Sequence, residues 1–580
     1  MTSEYAVEIN NVTFTYLGSK KPAIQDIDLK VKKGEVIMIT GPSGAGKTTL
    51  CRLLNGLIPH YFRGKFNGTV LVNGIDTKKT TIGSLSHTVG LLFQDPASQL
   101  VCPTVMDEVA FGPENLGVEP AEIRQRVEYA LEAVRLKGYE ERNPHSLSGG
   151  EQQACALASV IAMKPEIYVL DEPTSNLDPL GSYQIINLLV ELSRTEKKTM
   201  IIVEHKMEEL LPLVDRLIVM NDGKIVLQGS VKELLENVEY MEKIGLKPPQ
   251  VTLLASKLKK HVNLKELPLT LDDAVEIIGK TLQEILKQKE TKLRPQPHHA
   301  VDKRKDGEII RVEDLWYVYP GGVTALRGVN LSIYEGEFVA IIGQNGSGKT
   351  TLVKHFNGLL KPTKGNVTVF GIDTKKASIP ELARKVGYVF QNPDHQLCNE
   401  TVRKELEFGP INLGFPDREI KERVESVAER LGLKDVLDEK PFSLSKGERQ
   451  RVAVGSILTM NPDVLIIDEP TTGQDYKMSK EMMDIFKELN KEGKTIIVIT
   501  HDMNLVAEYA EQVIVLRNGE ILCEGTPKEV FAQSELLEKT YLRPPQITRL
   551  ALKLPEYRNI FGAALTVDEM YNTIVKLIEG

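Results

Sequence analysis

Two strings, Gly41-Pro-Ser-Gly-Ala-Gly-Lys47-Thr48-Thr49 and Gly343-Gln-Asn-Gly-Ser-Gly-Lys349-Thr350-Thr351, both fit the pattern G-x-x-x-x-G-K-[ST]. Glycines at this spacing let successive backbone N–H groups turn toward one anion at a helix N-terminus, where the partial positive charge adds to the attraction. The candidate phosphate cradles are Gly41, Gly44, Gly46, Lys47, Thr48 and Thr49, and Gly343, Gly346, Gly348, Lys349, Thr350 and Thr351. The lysines would reach the β- and γ-phosphates of a nucleotide, and the Thr48 and Thr350 hydroxyls would hold Mg2+. Such a metal shell is completed by a carboxylate at the end of a neighbouring strand, which predicts Asp171 and Asp468, in Asp171-Glu-Pro-Thr174 and Asp468-Glu-Pro-Thr471. A second acid follows each, Glu172 and Glu469. Adjacent acids suit separate tasks, one facing the metal while the other polarises the attacking water. An acidic helix cap is the plainer alternative, and the apolar run ahead of each pair argues against it.

These groups need rigid elements to hold them. A short β-rich run, residues 36–39 and 338–342, precedes each glycine string, and a helix-compatible stretch, 49–54 and 351–356, follows it. That strand–loop–helix order is the context the motif requires. Further apolar runs at 167–170 and 199–203, and at 464–467 and 495–499, read as buried parallel strands. Both halves are therefore expected to be α/β. With 580 residues and a repeat offset near 300, the chain predicts two similar halves, each able to bury a core.

Composition sets outer limits. Hydrophobic content of 41% and charged content of 26% are ordinary for globular protein. No apolar run approaches the eighteen or so residues of a membrane span, and the start lacks a basic region followed by an apolar core, so a cytosolic location is expected. The five cysteines include no C-x-x-C, which argues against zinc and iron–sulfur sites. A net charge of -8 gives no general attraction to nucleic acid or anionic lipid.

Further motifs repeat at matched spacing. Leu147-Ser-Gly-Gly-Glu151 recurs, altered, as Leu444-Ser-Lys-Gly-Glu448. Gln94 and Gln391 each lie 54 residues before the serine of these strings, Glu172 and Glu469 lie 24 after it, and His205 and His501 follow those acids by 33 and 32. The chain resembles a tandem ATP-binding-cassette (ABC) ATPase across residues 5–230 and 309–527. The resemblance implies two P-loop nucleotide-binding domains, 1–230 and 309–527, each with a small helical C-terminal extension, 231–286 and 528–580, joined by a linker at 287–308. It also implies that ATP is bound with Mg2+. Gln94 and Gln391 would join the metal shell and orient its water, and His205 and His501 would bind the γ-phosphate. Tyr16 and Tyr319 stand where this family stacks adenine, although Trp316 and Tyr317 compete for the second assignment. Cassettes of the family close head to tail, so Ser445 and Gly447 would complete the first site, and Ser148 and Gly150 the second.

The segment after each glutamine narrows the resemblance. Phe93-Gln-Asp-Pro-Ala-Ser-Gln-Leu100 with Phe111-Gly-Pro-Glu-Asn-Leu-Gly117 recurs as Phe390-Gln-Asn-Pro-Asp-His-Gln-Leu397 with Phe408-Gly-Pro-Ile-Asn-Leu-Gly414. Both are similar to the ATPases of energy-coupling factor importers, which take up vitamins, their precursors or transition metals. The resemblance implies a groove for a membrane scaffold (T-type) subunit, a separate substrate-binding membrane subunit, and a peripheral place on the cytoplasmic face of the cell membrane. Asp95 and Asp394 are expected to meet basic residues of the scaffold. Tails at 246–252 and 542–548, with Thr270 and Thr566 as N-caps of the next helices, resemble family tails that hold cassettes together. His298-His299 reads as a solvated linker feature, and the additional length near His60-Tyr-Phe-Arg-Gly64 in the first half has no assigned role. The competing reading is a soluble tandem ABC ATPase acting on the ribosome or nucleic acid. It usually brings cysteine-rich modules, a long charged arm or a coiled coil, none of them evident in the sequence.

Overall fold

The computed structural model describes residues 4–175, 177, 179–289, 307–471 and 474–579. Most of the 287–308 linker, His298-His299 included, lies outside the described residues. Contacts divide the chain into two compact units, Met1–Thr281 and Leu282–Gly580.

In the first unit the runs VIMIT, IYVLD and TMIIV form the strands Val36–Thr40, Ile167–Asp171 and Thr199–Val203, with every residue buried. Continuous β-branched and apolar runs of this length are what a parallel strand covered on both faces requires. The sheet order is Lys224–Ser230, Arg216–Asn221, Val36–Thr40, Thr199–Val203, Ile167–Asp171, Val89–Leu92, parallel throughout except at the Lys224–Ser230 edge. The two-residue period of the strands sorts their side chains into two cores. Val36, Met38, Tyr168 and Leu170 join a cluster with Leu157 and Ile161 of the helix Gly149–Ala162. Ile37, Ile39, Ile167 and Val169 face Leu50 and Leu54 of the helix Lys47–Leu54, together with Ile9, Phe14 and Val70 of a second sheet. That sheet is antiparallel, in the order Ile24–Lys32, Tyr5–Tyr16, Gly64–Val72, Ile75–Asp76.

The second unit repeats the design. Its six-stranded sheet runs Val386–Val389, Val464–Asp468, Thr495–Ile499, Phe338–Gly343, Gln512–Arg517, Glu520–Gly525, and its antiparallel sheet runs Thr324–Tyr334, Glu308–Val318, Lys364–Val369, Ile372–Asp373. Each unit also has a helical tail. Thr252 Oγ donates to Pro268 O at 2.6 Å and Thr548 Oγ to Ala564 O at 2.7 Å, tying the helices Gln250–Leu258 and Gln546–Leu552 to the turn before the next helix. Thr270 and Thr566 cap those following helices by accepting from Asp273 N and Glu569 N, each at 3.1 Å.

Candidate nucleotide-binding and catalytic sites

Strand register brings the separated motifs to one edge of each sheet. Val203 pairs with both Ile39 and Asp171, and Ile499 with both Ile341 and Asp468. The phosphate loop, the acidic pair and the histidine segment thus leave three neighbouring strands at their carboxyl ends, where α/β sheets place ligands. Glu172 N donates to Val203 O and Glu469 N to Ile499 O, each at 2.9 Å, which fixes the second acid beside the histidine strand.

The phosphate loops have the backbone their glycines allow. Gly46 and Gly348 cap the helices Lys47–Leu54 and Lys349–Phe356 at φ 97° and 103°. A Cβ on Gly46 would lie 2.6 Å from Ala23 O, and one on Gly348 2.7 Å from Ala325 O, so glycine is required on both counts. Lys47 Nζ donates to Gly41 O at 2.8 Å and Pro42 O at 2.9 Å; Lys349 Nζ donates to Gly343 O and Gln344 O, both at 2.8 Å. Both ammonium groups are thereby held over their own loops. Tyr16 OH lies 3.2 Å from Thr49 Oγ1, and Tyr319 OH 3.0 Å from Thr351 Oγ1, putting both rings against the helix each loop begins. Trp316 turns to Asp314, and Tyr317 packs edge-on against His355, so of the three aromatics Tyr319 is the one at the loop.

The acidic pairs are buried and their members differ. Burial raises the Asp171 carboxyl to about 6 against the lowering effect of the Thr48 hydrogen bond, and its Oδ1 is buried without a hydrogen-bond partner. Burial likewise raises Asp468, which accepts from Thr350 Oγ1 at 2.7 Å. A hydroxyl beside a buried carboxylate with spare acceptor capacity fits Mg2+. Among the described residues no group of three or more His, Cys, Asp or Glu gathers as an all-protein cage. Burial pushes Glu172 upward too, but the hydrogen bond and charge of His205, the charge of Lys47 and the Gln94 amide outweigh it and hold the carboxyl low. Gln94 Nε2 donates to Glu172 Oε1 at 2.8 Å, and His205 Nε2 lies 3.3 Å from the same oxygen. In the second unit His501 Nε2 stands 2.9 Å from Glu469 Oε1 and 3.1 Å from Asn345 Oδ1, whereas no bond joins Gln391 to Glu469 among the described residues. Both glutamates adopt left-handed backbone, φ 53° and 52°, an uncommon conformation for a residue with a side chain.

Ser148 and Ser445 begin the helices Gly149–Ala162 and Lys446–Leu458, each with a complete capping box to Glu151 or Glu448. Lys446 is exposed on the first turn of its helix. Beyond each glutamine, Phe111 and Phe408 are 49% and 51% exposed. Asp95 and Asp394 are not equivalent. Asp95 caps the turn Pro96–Ser98, while Asp394 is paired with Arg449 of the same unit, Nε to Oδ1 at 2.7 Å.

Five further residues escaped the sequence reading, the last two an equivalent pair. Tyr388 donates to Asp468, Asn345 meets His501, and buried Glu204 accepts from Thr174 and from His205 N. Glu108 accepts from Val101 N and Cys102 N, and Glu405 from Cys398 N and Asn399 N, at 2.7–2.9 Å, pinning the loop beyond each glutamine. Only these last two carried a signal, an acid at the same place in both repeats.

The ABC transporter family profile matches residues 24–175 and 326–472. A protein of Caldanaerobacter subterraneus subsp. tengcongensis, described as an ABC transporter ATP-binding protein, is 45% identical over 98% of this chain and 98% of its own length. A Methanosarcina acetivorans protein with the same description is 41% identical over 97% of this chain and 93% of its own. A solved chain described as cbiO1 from Clostridium perfringens, part of the ABC transporter complex cbiONQ, is 42% identical and covers 42% of this chain and 99% of its own, with a TM-score of 0.38.

Proposed function

The chain belongs to the ABC transporter family and is an ATPase of that type, and on this premise we propose that it is the energy-coupling subunit of an energy-coupling factor importer for a vitamin, a vitamin precursor or a transition-metal ion. Lys47 and Lys349 leave their loop carbonyls for the β- and γ-phosphates of ATP. Thr48 with Asp171, and Thr350 with Asp468, hold Mg2+, which neutralises phosphate charge when bound; Gln94 and Gln391 orient water beside it. Glu172 and Glu469 accept the proton of the attacking water, and His205 and His501 stabilise the γ-phosphate as charge develops. Tyr16 and Tyr319 carry the adenine. The two cassettes close head to tail on two ATP, Ser445 and Gly447 completing the first site and Ser148 and Gly150 the second.

The observation that carries the importer reading is the doubled segment after the glutamine, whose Phe111 and Phe408 are about half exposed at equivalent places. Exposed aromatics in the segment that follows the glutamine suit a coupling element of a membrane scaffold subunit. No helix among the described residues is long and apolar enough to cross a membrane, so a scaffold and a substrate-binding subunit would hold the chain peripherally on the cytoplasmic face. Residues 1–230 and 309–527 serve as cassettes, 231–286 and 528–580 as their helical extensions, and 287–308 as the linker.

Co-expression with a scaffold and a substrate-binding membrane protein of the energy-coupling factor class from the same genome tests the reading. The wild-type chain co-purifies with both and supports ATP-dependent uptake of one of a panel of vitamins and metal ions, while Phe111→Ala with Phe408→Ala loses both but keeps basal ATPase. Retention of ribosomes or nucleic acid in place of any membrane subunit would overturn it.

A further inference from the structure

The two metal-ligating aspartates have different neighbours, and the difference comes from one strand position. Asp468 Oδ2 accepts from Thr350 Oγ1 at 2.7 Å and also from Tyr388 OH at 2.9 Å. Tyr388 lies in the strand Val386–Val389, opposite Ile466 of the strand that ends in Asp468, with its ring edge-on to Phe390 at 4.9 Å. In the first unit the same register position, opposite Val169, is Leu91, which has no hydroxyl to give. There Asp171 lacks that second donor, and its Oδ1 is buried with no hydrogen-bond partner.

A buried carboxylate with two donors on one oxygen has one rotamer available, and its other oxygen is directed without further cost. A carboxylate with a single donor must be ordered when the cation arrives. Residues that orient a ligand in this way change metal affinity by about 10–100-fold.

We propose that Tyr388 is a positioning residue that holds Asp468 for a divalent cation, so that the second nucleotide site binds its metal more tightly than the first. The inference rests on Asp468 and Asp171 being the metal carboxylates, as proposed above. Tyr388 touches neither nucleotide nor cation; its effect passes through one carboxylate oxygen.

The test uses the full chain with Mn2+ as probe, its free concentration read by electron paramagnetic resonance in the presence of ADP. A Lys47→Ala background confines nucleotide to the second site, and a Lys349→Ala background confines it to the first. Tyr388→Phe keeps the ring and removes only the hydroxyl. In the Lys47→Ala background it should lower Mn2+ affinity about tenfold or more, while ADP affinity in EDTA stays unchanged. In the Lys349→Ala background it should have no effect. The proposal is overturned if Mn2+ affinity at the second site changes less than twofold, or if metal-free ADP binding falls equally. Asp468→Asn is the control: if it too leaves Mn2+ binding intact, the metal assignment fails and the proposal with it; if it abolishes binding while Tyr388→Phe does nothing, the proposal alone fails.

Discussion

Replacing Glu172 and Glu469 together by glutamine keeps the shape of both side chains and removes both proposed proton acceptors. Glu172 Oε1 sits 2.8 Å from Gln94 Nε2 and 3.3 Å from His205 Nε2, and Glu469 Oε1 sits 2.9 Å from His501 Nε2. A glutamine can turn its carbonyl oxygen to one of these donors, so the first site loses roughly one charge-assisted hydrogen bond, about 1.5–3 kcal/mol, and the second loses only its close approach to His501. Part of that is offset, because the amide does not suffer the burial penalty that opposes the Glu172 charge. Stability should therefore fall by at most about 2 kcal/mol at each site, too little to unfold a domain of ordinary stability. ATP should bind as well or slightly better, since a negative charge near the γ-phosphate is gone. Turnover is the quantity that collapses. Loss of a positioned general base costs about 10²–10⁴-fold, equivalent to about 3–5.5 kcal/mol on the barrier. Phosphate release at saturating Mg·ATP and equilibrium ATP binding, measured on the same preparation, separate the two effects. Turnover within tenfold of wild type would refute the assignment of the acids; lost turnover with an equal loss of ATP binding would show that the glutamates only hold the site together.

Single substitutions Glu172→Gln and Glu469→Gln should leave unequal residual turnover with the membrane partner bound, because Lys446 stands in the second signature segment and the two glutamates have different neighbours; equal residues of activity would count against this. Gly46→Ala should destabilise roughly twice as much as Gly44→Ala, whose left-handed backbone alone costs about 1–2 kcal/mol, because a Cβ at Gly46 meets Ala23 O at 2.6 Å while one at Gly44 meets nothing within 4 Å. Denaturant midpoints would read this, and equal shifts would dismiss the carbonyl contact. For Asp171, whose folded pKa is raised to about 6 from 3.8, the protonated form contributes about 3 kcal/mol of stability. That contribution is full below about pH 4 and is lost as pH rises through about 6. In chelator, Asp171→Asn should thus melt above wild type at pH 7.5 and near it at pH 4.5; a pH-independent difference would refute the burial argument.

The phosphate loops, acidic pairs, serine segments and histidines were legible in the sequence because each is a short string with its own local geometry, and the duplication repeats every spacing. Burial on both faces of the central strands was equally legible from unbroken runs such as VIMIT. What stayed hidden depends on register between distant strands. Tyr388 is an unremarkable strand tyrosine until pairing puts it across from the strand of Asp468, 80 residues away. The pairing of Asp394 with Arg449, which comes from the helix that begins at Lys446, was likewise invisible, because the two lie 55 residues apart. The partners of Trp316 and Tyr317, Asp314 and His355, were equally out of reach of the sequence.

With the proton-accepting roles proposed above, the left-handed backbone at Glu172 and Glu469 sets folding and turnover against each other at two codons. Such a conformation costs a residue with a side chain on the order of 1–3 kcal/mol and costs glycine almost nothing. A library of this protein screened for heat tolerance alone would therefore enrich glycine or asparagine at both positions, and each gain in folded yield would be a loss of catalysis. Consensus or ancestral stabilisation of this chain has to exclude these two sites, because there the thermodynamic optimum and the working enzyme call for different residues.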